Sequence, residues 1–239
     1  MHPLDDITIY YRGNKIKQTP EDWTFRREAN YITDFYHNSM NGYKPPKTGR
    51  ICIHLNEEFG YELPTYFGCI CSVYTEIDEE LYLSLQQSER FELLLETVHQ
   101  VLIDTAKKLN WNEAPFEVAY QNIKELDFVF RRIFPPKMTR NRLYEGTPIL
   151  EKTIDRTKVI VAIRGEGISK ELTLIDKPNM YWYDIAYKLV KQLKWFNRTM
   201  FGYHPKNGLS HSYYSIESDQ VVSNLEFDKV GRMLRTVND

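Results

Sequence analysis

Three cysteines in a chain of 239 residues, Cys52, Cys69 and Cys71, cannot build a disulfide framework. The opening residues, Met1 to Asp6, hold neither a basic stretch nor an apolar one, so they do not read as a secretory signal. No apolar run approaches the roughly 20 residues that a helix needs to cross a bilayer. These absences lead to the expectation of a cytoplasmic protein with no membrane partner. Excess charge is missing as well. Against 31 basic residues stand 33 acidic ones, a net charge of −2, which gives the whole chain no pull toward nucleic acid.

Signature motifs are absent too. There is no G-x-x-x-x-G-K-[ST] phosphate cradle and no H-E-x-x-H metal helix. There is no G-x-S-x-G nucleophile elbow and no Cys-x-x-Cys. No acid stands two positions before any lysine, which removes the Glu-x-Lys of strand-borne nuclease sites. That chemistry needs the acid and the amine on one face of a strand, sharing a metal. No cofactor is expected.

What is present is an ordinary globular composition, 42% hydrophobic and 27% charged, with many aromatic residues: 17 Tyr, 12 Phe and 4 Trp. Tyrosine joins an apolar ring to a polar tip, so it suits the rim of a core or an interface. Alternation predicts a strand or short hairpin over 7–17, strands over 50–56, 66–77, 127–134, 149–155, 158–164 and 171–176, and short ones over 200–203, 212–217 and 221–227. The segment 57–65 reads as a long hairpin loop joining two of them. Helical spacing predicts four helices. One begins at Thr19 and Pro20, carries Phe25, Ala29, Ile32, Tyr36 and Met40 on one face, and stops at Asn41–Gly42. The others run from Ser88 to 110, from Asn112 to 126, and from about Asn179 to Arg198. The prolines at 135 and 136 mark a boundary. The expectation is an α+β fold with mainly antiparallel sheets in two halves, 1–135 and 138–239, which can also pack as one domain.

Several side-chain groups carry possible chemistry. Gly165 to Lys170 looks like a phosphate loop, but a strand follows it, so a hairpin turn is expected. Cys52 and His54 share one strand face, and Cys69 and Cys71 share another; in register they would form a Cys₃His metal set, although core packing is the stronger reading. Asp34 with His37, and Glu96 with His99, have the spacing of helical metal pairs. His204 and His211 flank a loop beside Tyr203, the place to look for a general acid or base. Two basic patches complete the set. One holds Arg131, Arg132, Lys137, Arg140 and Arg142. The other places Lys188, Lys191, Lys194 and Arg198 on one side of the last helix.

Composition resembles that of small accessory proteins, toxin-neutralising immunity proteins among them. The leading expectation is therefore a non-enzymatic protein that acts through a protein partner. An enzyme built around His204 and His211 is one alternative. A phosphate or nucleic-acid binder using the basic patches is another, disfavoured by the balanced charge.

Overall fold

A computed structural model describes residues 4–19, 22–58, 60–179, 182–205, 210–228 and 231–234. The fold is α+β: the described residues form five helices and three sheets, whose strand pairs taken together are mainly antiparallel. The chain divides into two compact units between Phe128 and Val129, and each is taken by itself.

The N-terminal unit opens with β1 (Asp6–Tyr11), α1 (Thr24–Ser39) and β2 (Arg50–Leu55). Next come β3 (Thr65–Phe67), β4 (Ile70–Thr75), α2 (Glu79–Ser84), α3 (Gln87–Lys108) and α4 (Ala114–Glu125). The sheet order is β1-β2-β4-β3. β1 and β2 run parallel because α1 returns the chain to the same end of the sheet. β2 and β4 are also parallel. Segment 57–65 is therefore not the loop of a hairpin between them. The reversal comes later, where β3 pairs antiparallel with β4 across a tight turn. Gly68 supplies the positive φ that this turn requires.

Period-two alternation gives this sheet two unlike faces. One face is apolar: Ile7, Ile51 and Cys71 stand in one row, and Ile53 and Val73 in the next. All five are buried, and α1 packs on β1 while α3 packs on β4. The opposite face carries Asp6, Arg50 and Ile70, then Thr8, Cys52 and Ser72, then Tyr10, His54 and Tyr74.

Helix boundaries differ from the sequence expectation in instructive ways. α1 starts at Thr24, not at Pro20 (Pro20 and Glu21 lie outside the described residues). The Thr19 hydroxyl accepts from the Asp22 amide, and the Asp22 carboxylate accepts from the Thr24 amide, so side-chain turns fill the first positions. The apolar stripe itself is as read, with Phe25, Ala29, Ile32, Tyr36 and Met40 all buried. α3 starts at Gln87 behind a capping box of Gln86 and Glu89, one residue ahead of Ser88. The acidic run beginning at Glu76 makes an unexpected short helix, α2, because Asp78 caps it and Glu79 and Glu80 fill its first turn.

The C-terminal unit contains β5 (Phe130–Ile133), β6 (Lys137–Met138), β7 (Glu145–Lys152), β8 (Arg156–Gly165) and β9 (Ile168–Pro178). α5 (Ile185–Gln192) follows, then β10 (Lys194–Trp195), β11 (Met200–Tyr203), β12 (Ser212–Ser215) and β13 (Gln220–Ser223). One antiparallel sheet runs β5-β7-β8-β9, with β6 added to β7; the other runs β10-β11-β12-β13. Residues 165–168 form the β8–β9 hairpin, with Glu166 and Gly167 both at positive φ, as expected for that turn. The last helix is shorter than its apolar pattern implies. Asp184 caps its start by accepting from the Ala186 and Tyr187 amides, and Leu193 turns extended. Lys194 consequently lies in a strand, and Arg198 lies beyond it, off the helix.

Candidate functional site

The open face of the N-terminal sheet carries a row of aromatic rings across three strands. Tyr10, His54 and Tyr74 are register partners on three parallel strands, and strand spacing sets their rings side by side. Ring centroids are 5.5 Å apart for Tyr10 and His54, and 4.9 Å apart for His54 and Tyr74, with interplanar angles of 25° and 19°. Tyr61 meets Tyr74 edge-on at 5.5 Å. Gly60 makes this approach possible, since a Cβ there would stand only 3.2 Å from Tyr74. Glu57 fixes the His54 ring through Nδ1 at 2.9 Å. Tyr10 is 39% exposed, Tyr61 63% and Phe67 85%. At the other end of the face Arg50 pairs with Asp6 at 2.6 Å, and that pairing raises the guanidinium pKa.

Two properties define what this face can do. First, His54 and its two neighbours turn their flat faces toward one another, which leaves little open platform between the rings for a nucleobase to stack on. Second, its surroundings are acidic. Residues 1–128 hold 21 acidic and 12 basic residues, a net charge of −9, and Glu58, Glu62 and Glu76 are exposed just beyond β2 and β4.

The proposed Cys₃His set does not assemble. β2 and β4 run parallel, so Cys52 pairs with Ser72 while Cys71 pairs with Ile51 on the opposite face. Cys52 and His54 stay on the open face, Cys71 is in the core, and Cys69 sits exposed in the β3–β4 turn. Burial raises the thiol pKa of Cys52 and pushes that of Cys71 up to about 11. Both stay protonated thiols, as core packing requires. Among the described residues no cluster of three or more His, Cys, Asp or Glu is placed to hold a metal ion.

The helical carboxylate–histidine pairs have other duties. His37 bonds the Leu4 carbonyl at 2.8 Å. The Glu96 carboxylate accepts from the Tyr120 hydroxyl. His99 Nδ1 lies 2.8 Å from the buried Tyr36 hydroxyl, which donates its hydrogen to the Phe116 carbonyl. One hydroxyl has one hydrogen, so His99 Nδ1 carries the proton of that contact. Tyr120 stacks on the imidazole at 4.2 Å. Burial lowers the His99 pKa, against the opposing pull of Glu117 and Glu96.

His204 and His211 do come together at the ends of β11 and β12, with near-parallel rings 5.8 Å apart among Phe196 and Tyr213. Among the described residues no carboxylate bonds either ring, and His211 Nδ1 is buried without a hydrogen-bond partner. Residues 206–209 between them lie outside the described residues. Tyr203 pairs with Ser212 in the same sheet.

The first basic patch is mostly committed. Arg131 pairs with Glu151 and Glu171 at 2.8 Å each. Arg132 sits over the Phe134 ring. The Lys137 amine caps the end of α5 through the Lys191 and Leu193 carbonyls. Arg140 and Arg142 remain exposed.

Comparison with known families, curated proteins and solved structures finds no match.

Two buried ionic clusters escaped the sequence reading. In the C-terminal unit Lys152, Thr157 and Lys177 form one row across three strands. Both lysine side chains are fully buried, and Asp184 meets their amines at 3.4 and 2.5 Å. Trp182 and Phe227 cover the ammonium groups. In the N-terminal unit buried Glu28 takes two bonds from Arg90, at 2.9 and 2.6 Å, and one from the Tyr82 hydroxyl at 2.6 Å. Arg90 and Tyr82 also line a cleft of 310 Å³ with Lys15. There Lys15 pairs with Glu80 and Arg90 with Glu28, so both cations are neutralised from within. An isolated Lys inside a strand pattern is the signal the C-terminal cluster leaves in the sequence, and Lys152 gives it.

Proposed function

We propose that this protein is a non-enzymatic binding module, and that the open face of its N-terminal sheet docks a protein partner with a basic surface. The observation that carries this reading is a sheet with two parallel pairs and only one face packed by helices. Parallel strands are ordinarily covered on both sides. Here the uncovered side has no row of Val and Ile awaiting a helix. It carries pre-packed tyrosines with a polar middle, the composition of interface cores. Rings already stacked lose little rotamer freedom on docking, so their area converts well into affinity. The net charge of −9 and the exposed glutamates favour a basic partner and speed its approach.

The test begins with the full chain as bait and a variant combining Tyr10→Ala, Tyr61→Ala and Phe67→Ala. A protein retained by the wild type is purified and titrated against both by calorimetry. The expected result is a complex that weakens at least tenfold in the variant and loosens with salt. Equal affinity for both baits would sink the proposal, as would an acidic interface on the partner.

A further inference from the structure

The C-terminal unit carries the opposite charge. Residues 129–239 hold 19 basic and 12 acidic residues, a net charge of +7. Ion pairing sorts these cations into two groups. Arg131, Arg156, Lys158 and Lys170 are matched with Glu151, Glu171, Asp176 and Asp219. Arg140, Arg142, Arg164, Lys188 and Lys194 are exposed, and the described residues provide none of them with an ion-pair partner.

Four of the unmatched cations, Arg140, Arg142, Lys188 and Lys194, share one edge of the unit. Trp195 donates its indole N–H to the Lys137 carbonyl at 2.7 Å, locking β10 onto β6. The Lys137 amine reaches the last carbonyls of α5, so the Lys188 side of that helix joins the same edge. Burial, then the nearby Lys194 ammonium, lowers the Lys137 pKa, an independent sign that these amines crowd together. From β6 the chain enters a turn held by Thr139 and Tyr144, which exposes Arg140 and Arg142. The Leu143 carbonyl lies 2.0 Å from where a Cβ on Gly165 would be, so only glycine lets the β8–β9 hairpin close against that turn. Two acids border the surface: Glu145, and Glu166, which accepts from the Tyr144 hydroxyl at 2.7 Å.

We infer that this surface, running from the exposed side of α5 across β10 and β6 to the turn at Arg140 and Arg142, binds the phosphate backbone of a nucleic acid. An extended line of unpaired Lys and Arg releases counterions from a polyphosphate, which drives binding regardless of base sequence. A compact anion has no use for so long a surface. The inference is independent of the open face on the other unit.

Fluorescence anisotropy with the full chain tests it, using a labelled single strand of about 20 nucleotides and a duplex of equal length between about 50 and 200 mM salt. The expected result is binding that weakens more than tenfold across that range. The pair Arg140→Gln with Arg142→Gln, and separately Lys188→Gln with Lys194→Gln, should each cut affinity about tenfold and flatten the salt slope by about 1–2. Arg156→Gln, whose charge is matched by Asp176, should leave both unchanged. Absence of binding at the lowest salt overturns the inference, as does affinity unmoved by either pair. Polyglutamate competing as well as unlabelled strand would also overturn it, and would assign the surface to an acidic protein.

Discussion

The two units each display one sheet surface to solvent and treat it in opposite ways. In the C-terminal unit Arg131, Glu151, Lys158 and Asp176 are register partners on four strands, so charge alternates across the sheet. Arg131 and Lys158 both pair with Glu151, Asp176 pairs with Arg156 just outside the row, and burying that row would strip water from four ions. In the N-terminal unit the corresponding rows hold Thr8, Cys52 and Ser72, then Tyr10, His54 and Tyr74. Beside the Asp6–Arg50 pair at one end and the Glu57 carboxylate that bonds His54, these rows carry hydroxyl, thiol and aromatic side chains that are already packed and cheaper to desolvate than a row of ions. A sheet that neutralises itself is finished in water; a sheet faced with stacked rings gains by being covered. The same contrast extends to the unpaired groups. Surplus acids surround the aromatic face, while Arg140, Arg142, Lys188 and Lys194 of the other unit lie off the alternating row.

The comparison can be tested through stability, beginning with the buried ions. Asp184→Asn leaves two buried ammonium groups without their shared carboxylate, and urea unfolding should report a loss of about 3–5 kcal/mol in the C-terminal unit. On the aromatic face Tyr74→Ala removes a stacked and an edge-on ring contact, at an expected cost of about 1–3 kcal/mol in the N-terminal unit. On the alternating face Glu151→Ala removes a partner of both Arg131 and Lys158; the cost should stay near 1 kcal/mol or below and shrink in salt, because these side chains are partly exposed. A Glu151 substitution costing more than Tyr74→Ala would reverse the proposed contrast.

The smallest effect is in acid. His99 has a folded pKa held below its ordinary 6.5 by burial. The folded N-terminal unit therefore resists protonation, and its stability should fall as pH drops from 6.5 through the folded value. His99→Gln should flatten that limb in a pH series of thermal unfolding. Asp219 in the C-terminal unit lies below its ordinary 3.8 because Lys170 and the Tyr214 hydroxyl bond its carboxylate. Its contribution is complete above 3.8 and is lost only as pH falls through the lower, folded value. Coincident acid limbs in the two units would argue against these assignments.

Much of the framework was legible. Helical spacing picked out Phe25, Ala29, Ile32, Tyr36 and Met40, all of which are buried. The Gly165–Gly167 hairpin and the strands around it followed from turn chemistry and alternation. The site was less legible. Alternation placed Cys52 and His54 on one face but could not say that β4 runs parallel to β2, and that direction decides whether Cys71 joins them or opposes them. Likewise the apolar residues of 185–196 match a long helix, yet Asp184 and the Lys137 cap confine it to two turns. The charge split was within reach of simple counting on either side of Pro135 and Pro136, but the whole-chain balance concealed it.

The sequence alone determined which residues are apolar on which period, and so the number, kind and inner faces of most elements; those depend on contacts a few residues apart. Strand direction, the meeting of Tyr10 with His54 and Tyr74, the burial of Lys152 and Lys177 against Asp184, and the contact of the Lys137 amine with the end of α5 were decided by tertiary structure. Each joins residues distant in the chain, and the free energy that fixes them comes from packing and desolvation shared among elements, which no local pattern records.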